Sequence, residues 1–402
     1  MQNPHDRSRI VIIDALRGFA LAGVALTHMA EQYVAGPHPD SFMSGINGPI
    51  DQIALGLIQF FLVGKFFALF SVLFGLSFAI QMDSAARRNI DFSARFLWRA
   101  MLLLLIGYAH HLFYRGDILL VYALLAPFLI PFHKVSDRWL FVVAIVIFSG
   151  IPRFIVFAVL GTEGLFGLPL DLDTSREADY FRTISGGSLL AVFEANGVYG
   201  LLTKWNYQIA GSSRLFHTFA YFLLGLWLGR SGLLRNSQDS LQTIKTMIKR
   251  FALAWILLAI LTTAAFATMP QPVDFGSWHF VIAFNFVDLA NLCMAAVIGL
   301  TFVVLFHKTN WNPRLAFFAP YGRMALTNYL LQSLIGTFLL FGWGLGLLGE
   351  VRSGLLILLA MGMIAIQAQL SKIWLRHFQY GPLEWLWRSG TFLHLQPFRK
   401  HD

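Results

Sequence analysis

Residues 9–31 read RIVIIDALRGFALAGVALTHMAE, and this stretch decides the fold. About 20 predominantly apolar residues in a helix span the roughly 30 Å hydrocarbon core of a bilayer, and this run is long enough to do so. It is not a cleavable signal: the apolar part is too long, it carries Asp14 and Arg17, and no small-residue cleavage site follows. Asp14, Arg17 and His28 are therefore ionisable groups inside a crossing, where each costs about 2.5–3.5 kcal/mol on insertion scales. Arg17 and His28 lie eleven residues apart. At about 3.6 residues per turn they share one helix face, about 16 Å apart along the axis. Asp14 stands one turn before Arg17 and can neutralise it. Glu31, one turn beyond His28, can orient or polarise the imidazole. Gly18, Ala22 and Ala25 are small enough for a second helix to approach closely. The plain alternative is a snorkelling Asp14–Arg17 pair and an interfacial histidine with a purely structural role.

The remainder of the chain has the same solvent. Of 402 residues, 57% are hydrophobic, 15% aromatic and 13% charged, against about 25% charged in a soluble domain. This excludes a disordered chain and argues against a soluble globular enzyme. Apolar runs of spanning length occur at about 10–34, 65–83, 96–114, 118–133, 138–160, 214–233, 251–269, 281–306, 322–345 and 354–375. They predict an all-α integral membrane protein of ten transmembrane helices. The apolar stretch 50–63 reads as an interfacial or re-entrant piece, because Gly64 and Lys65 break the run. With ten crossings, the termini and every second loop hold 19 of the 30 Lys+Arg and the intervening loops 7. This places both termini in the cytoplasm. The chain then reads as a single polytopic domain over 1–402. It has an extracytoplasmic excursion at 161–213 that carries an interfacial segment, and a cytoplasmic amphipathic tail at 376–402. The formal net charge of +9 belongs to cytoplasmic loops facing membrane lipids, above all 235–250, and no nucleic-acid partner is expected. The single cysteine, Cys293, excludes a disulfide framework.

Polar residues concentrate at two levels. His28, His38, His110, His111, His217 and His279 fall at the outer ends of crossings or in outer loops, with Asp117 close behind His110 and His111. An imidazole titrating near neutrality at the wet end of a polar track suits general acid–base work. No ligand spacing such as HExxH occurs, so no metal is expected. The entry to the ninth crossing, YGRMALTNYLLQS (321–333), sets Arg323 and Thr327, and likewise Asn328 and Gln332, four residues apart. Such a stripe either glues helices together or meets a polar ligand. The tail motif GPLEWLWR (381–388) sets Glu384 and Arg388 as an i,i+4 pair. Gly344, Gly346 and Gly349 match GxGxxG by chance, with no strand before them, and no Walker A lysine is present.

Five segments in order carry a resemblance: RIVIIDALRGFALAGV (9–24), FFALFSVLFG (66–75), GDILLVYA (116–123), GRMALTNYLLQS (322–333) and GPLEWLWR (381–388). Together they span almost the whole chain, which resembles the YeiB-like family of bacterial inner-membrane proteins, a domain of unknown function. That family in turn looks like a branch of the transmembrane acyltransferase superfamily. The superfamily includes the lysosomal heparan-glucosaminide N-acetyltransferase and the acyltransferase-3 O-acetyltransferases. The resemblance implies a multi-pass protein of the bacterial inner membrane. It would move an acyl group from cytoplasmic acyl-CoA, with acetyl-CoA the expected donor, to an extracytoplasmic acceptor such as a sugar or envelope glycan. Arg17 and His28 fit the Arg-x10-His pattern of the acyltransferase-3 enzymes, with the histidine as base and the arginine in the acyl-CoA tract. In the heparan enzyme the base lies in the following loop, where this chain has His38. His28 and His38 are thus both candidate bases, with Glu31 beside them. Arg17, Asp14, Arg99, Arg323, Asn328 and Gln332 are candidates for acyl-CoA. His110, His111 and Asp117 are further polar candidates. A homodimer stays open, as do a transporter of a small envelope metabolite or lipid-linked group and a sensor or assembly factor.

Overall fold

The computed structural model describes residues 4–36, 42, 46–168, 174–234, 237–270, 273, 274 and 276–400, without side chains for 4–10, 174 and 175. Among the described residues there is no strand, only an isolated bridge between Phe378 and Arg399. The helices in the first half are α1 (Pro4–Ala30), α2 (Pro49–Phe61), α3 (Lys65–Ala86), α4 (Ser93–Phe113), α5 (Leu119–Leu125), α6 (Leu129–Phe132), α7 (Asp137–Phe148), α8 (Ile151–Leu160) and α9 (Thr174–Gly186). There follow α10 (Leu189–Ala195), α11 (Leu201–Asn206), α12 (Arg214–Ser231), α13 (Leu241–Ala267), α14 (Trp278–Phe306), α15 (Asn312–Ala316), α16 (Phe318–Arg323), α17 (Ala325–Leu340), α18 (Ser353–His377) and α19 (Pro382–Phe392).

Six helical runs are long and apolar enough to cross a membrane: Val11–Ala30, Pro49–Ala86, Ser93–Phe113, Leu241–Ala267, Trp278–Phe306 and Ser353–His377. α7 and α8 qualify only together, as a pair bent by 43°. The bend has a local cause, because Gly150 at φ 88 precedes a helix start that holds Pro152. This is a multi-pass membrane protein. Ten self-sufficient crossings are not present among the described residues, and the shortfall lies where the backbone breaks. Leu119–Phe132 is short, with a 3-10 turn through Pro127. The expected ninth crossing divides at Met324 (φ −108, ψ 35), which leaves Ala325–Leu340 as a short apolar helix. The expected interfacial or re-entrant piece at 50–63 is α2, which continues into α3 as one 38-residue apolar run rather than turning back, Gly64 taking up the break at φ 80.

Lipid offers no hydrophobic drive for helices to associate, so close packing of small residues has to supply it. α1 is the hub. Its Ala15, Ala20, Leu21 and Ala25 are fully buried, and its residues enter three of the core clusters. A Cβ on Gly18 would run into the Phe318 carbonyl, and one on Gly322 into the Asp14 carbonyl, so α1 and α16 meet backbone to backbone. Gly75 and Gly225 do the same for α3 and α12. The segment 189–211 is a winding helical stretch with π-helical turns at Asn196–Gly200 and Tyr207–Gly211. One face of it is buried, through Val192, Asn196, Lys204, Asn206 and Gln208, while Leu190, Val198 and Tyr207 are exposed.

Candidate functional site

Two cavities lie along α1. The larger, about 670 Å³, is lined by Leu21, Val24, Thr27, His28 and Glu31 of α1 and its end, and by side chains of α3, the 114–118 turn, the 203–208 stretch and Arg214. The smaller, about 270 Å³, is lined by Arg17, Ser77, Gln81, Arg99, Arg323, Glu384 and Trp387 among others. Phe70, Tyr122 and Tyr329 line both, so a single layer of aromatic rings separates them. Tyr122 is fixed there by a 2.6 Å hydrogen bond with Ser71 and by the Phe70 ring stacked at 6.2 Å. Tyr329 receives the Ile118 amide at 3.3 Å. Arg17 and His28, on one face of one helix, thus reach different cavities on opposite sides of this waist.

The smaller cavity is basic. The Arg17 guanidinium donates to Asp14 at 2.8 Å and to Ser77 at 3.0 Å. Arg99 lies over the Trp387 ring at 3.6 Å, and the exposed Arg323 donates to the Gln379 carbonyl at 3.3 Å. α19 closes this side. Glu384 accepts from the Thr327 amide at 3.0 Å and from its hydroxyl at 2.6 Å. The expected Glu384–Arg388 pair is therefore not formed, and Arg388 lies over the rings of Tyr380 and Phe392 instead. Asn328 and Gln332 line neither cavity. Asn328 donates to the Tyr321 carbonyl and to Ser371, and Gln332 donates to the Tyr321 hydroxyl and to Gln367, so the stripe ties α17 to α16 and α18.

In the larger cavity the His28 ring lies among tyrosines, 5.1 Å from Tyr114, 5.6 Å from Tyr33 and 6.3 Å from Tyr329. Glu31 faces the same space without bonding to His28. His38 lies outside the described residues. Asp117 anchors a buried cluster behind Tyr329. Its carboxylate caps α5 through the Leu119 and Leu120 amides at 3.2 and 2.8 Å, and His110 Nδ1 lies 2.6 Å from it. Lys204 donates to the Asp117 carbonyl, stands 3.7 Å from its carboxylate and 3.4 Å from His111 Nδ1. Burial alone would raise the Asp117 carboxyl, but the Lys204 ammonium and the His110 hydrogen bond outweigh it and hold it down at about 2. His217 and His279 line neither cavity. Among the described residues no three His, Cys, Asp or Glu side chains converge as metal ligands would.

The sequence reading did not single out Arg214, Lys204, Trp387 or the waist residues Phe70, Tyr122 and Tyr329. Their neighbours in space come from distant segments, which spacing along one helix does not reveal.

Comparison with known proteins places the chain among proteins of unknown function. The family described as "Protein of unknown function (DUF418)" matches residues 228–394. The chain is 30% identical to the uncharacterized protein YxaH of Bacillus subtilis, over 98% of this chain and 96% of the relative. It is 29% identical to the uncharacterized protein YeiB of Escherichia coli, over 95% and 96% respectively. An uncharacterized 39.9 kDa protein from the amylase 3' region of Bacillus acidopullulyticus is 26% identical over 96% of this chain and 94% of its own length. No solved structure matches.

Proposed function

Because the chain belongs to the YeiB-like family of unknown function (DUF418), we propose its function from its own geometry: a membrane-embedded acyltransferase that uses cytoplasmic acyl-CoA, acetyl-CoA foremost. The acceptor is an extracytoplasmic hydroxyl or amine, such as that of an envelope sugar or glycan. One observation carries the reading: an arginine-lined cavity and a histidine-bearing cavity stand in series on α1, with one layer of rings between them. In this reading the protein sits in the bacterial inner membrane with ten passes and both termini cytoplasmic. α5 with α6, α7 with α8, α12 and α17 complete the count. Arg17, Arg99 and Arg323 then face the cytoplasm and hold CoA phosphates and pantetheine polar groups. The thioester reaches the waist. His28 removes a proton from the acceptor, the acceptor oxygen or nitrogen bonds to the carbonyl carbon as the C–S bond breaks, and the CoA thiolate takes up a proton.

The test is acyl transfer by the purified protein, read as CoA thiol release. His28→Ala should lower the rate about 10²–10⁴-fold while acyl-CoA binding stays nearly intact. Loss in His38→Ala with full activity in His28→Ala moves the base to His38. Activity that survives both substitutions removes histidine base catalysis. The closed waist between two cavities also suits a transporter of a small envelope metabolite, since alternating access needs such a barrier. Substrate counterflow without acyl turnover would select that reading.

A further inference from the structure

The larger cavity carries more charge than acyl transfer uses. His28, Glu31, Arg115, Asp117, Lys204 and Arg214 line it. Arg115 is paired with Glu177 at 2.8 Å, and Lys204 with Asp117 at 3.7 Å. Those two pairs neutralise themselves. The Glu31 carboxylate and the Arg214 guanidinium do not: among the described residues neither has a side-chain hydrogen bond or an ion pair. Both line the cavity, yet no ion pair joins them. Arg214 is held by aromatic faces instead, 5.0 Å from the centre of the Phe67 ring and 5.8 Å from that of Tyr207. Glu31 is held by its backbone, whose amide still bonds to the Thr27 carbonyl at 2.9 Å just past the end of α1. Glu31 is exposed and Arg214 half-buried, and ionisable groups that face a cavity in a membrane protein by default mark a ligand or ion path. One unpaired anion and one unpaired cation, facing the same cavity from opposite elements, fit a ligand that bears both complementary charges.

We propose that the larger cavity is a zwitterion site, whose ligand sets an ammonium against Glu31 and a carboxylate or phosphate against Arg214. The tyrosines around His28 extend the cation side, since electron-rich ring faces attract an ammonium. Amino acids and the phosphoethanolamine headgroup of a lipid share this chemistry. In identifying the ligand with the acceptor, the proposal rests on the acyltransferase reading, and it then makes the acylated atom a nitrogen. His28 takes one proton from the ammonium, the freed amine forms the C–N bond as the C–S bond breaks, and its second proton goes to the CoA thiolate. One proton is released overall.

The experiment is calorimetric binding to the full-length protein in detergent, independent of turnover. The probes are O-phosphoethanolamine and L-alanine, with ethanolamine and inorganic phosphate as half-ligands. At least one zwitterion should bind tenfold or more tighter than either half. Glu31→Gln should abolish its advantage over phosphate, and Arg214→Gln its advantage over ethanolamine. Competition by phosphatidylethanolamine vesicles but not by phosphatidylglycerol vesicles supports the site and makes the lipid headgroup the source. Binding of a soluble zwitterion that neither vesicle displaces supports it with a soluble source. Half-ligands that bind the wild type as tightly as the zwitterions, or no zwitterion binding to folded wild type, overturn the proposal, and neither result needs a variant to fold. Acyl turnover without zwitterion preference defeats this inference and leaves the transferase standing. Zwitterion preference without turnover does the reverse.

Discussion

At the scale of single residues, charges that line a cavity differ in their partners from charges that hold the molecule together. Arg17 has the geometry of the first kind. Its planar fork reaches Asp14 and Ser77 and still lines the smaller cavity. Arg17→Ala should weaken acyl-CoA binding at least tenfold by calorimetry while the protein still inserts. Arg17→Lys should rescue poorly, because a point charge cannot span two partners as a fork does. A loss of expression in Arg17→Ala that Asp14→Ala restores would mark the pair as structural. Asp117 is of the second kind. Asp117→Asn strands Lys204 as an unpaired buried cation, an effect of about 3–5 kcal/mol, which should appear as a large fall in melting temperature. Its carboxyl is held below the ordinary 3.8, so its contribution is complete above that pH and is lost only as pH falls toward about 2. Wild-type protein should therefore keep this cluster at pH 5, and an Asp117→Asn defect there should equal the one at pH 7.

At the scale of elements, the contact between α1 and α16 depends on absent side chains. Gly18→Leu should push α16 off α1, since the new side chain has only the Phe318 and Gly322 backbone to meet. The expected result is loss of the monodisperse peak in gel filtration, with Ala22→Ser as a mild control. α1 was legible from the sequence down to its Asp14–Arg17 pair, because spacing on one helix is fixed by 3.6 residues per turn. What spacing does not contain is the partner from another element. Glu384 and Arg388 satisfied the local i,i+4 rule, yet Glu384 found two donors on Thr327, 57 residues away. Asn328 and Gln332 had the same ambiguity, and only the position of α18 shows which side chains they meet. Broken elements were also hidden: nothing in the ninth apolar run announces that Met324 leaves the helical range.

At the scale of the whole molecule, the proposed orientation is open to direct labelling. In a Cys293→Ser background, single cysteines at residues 190 and 245 should react from opposite sides of sealed vesicles. Residue 190 should be reached from outside and residue 245 from the cytoplasmic face. A cytoplasmic label on residue 190 would put the histidine cavity on the wrong side for an extracytoplasmic acceptor. Membrane class and the central role of the first crossing were readable from composition and from the cost of its ionisable residues. The two-cavity plan was not, because Phe70, Tyr122 and Tyr329 come from three distant segments and only tertiary packing makes them one layer.

That layer has an electrical consequence. With the membrane placed as proposed, water enters from both faces to within a ring's thickness of the middle. The drop in potential, normally spread over some 30 Å of hydrocarbon, is then compressed across Phe70, Tyr122 and Tyr329. A charge crossing there would traverse most of the membrane voltage in one step, worth about 2.3 kcal/mol per elementary charge at 100 mV. Whatever passes between the cavities, its net charge and the energised state of the cell become coupled, and a neutral passenger such as a thioester carbonyl is the one this barrier leaves indifferent to voltage.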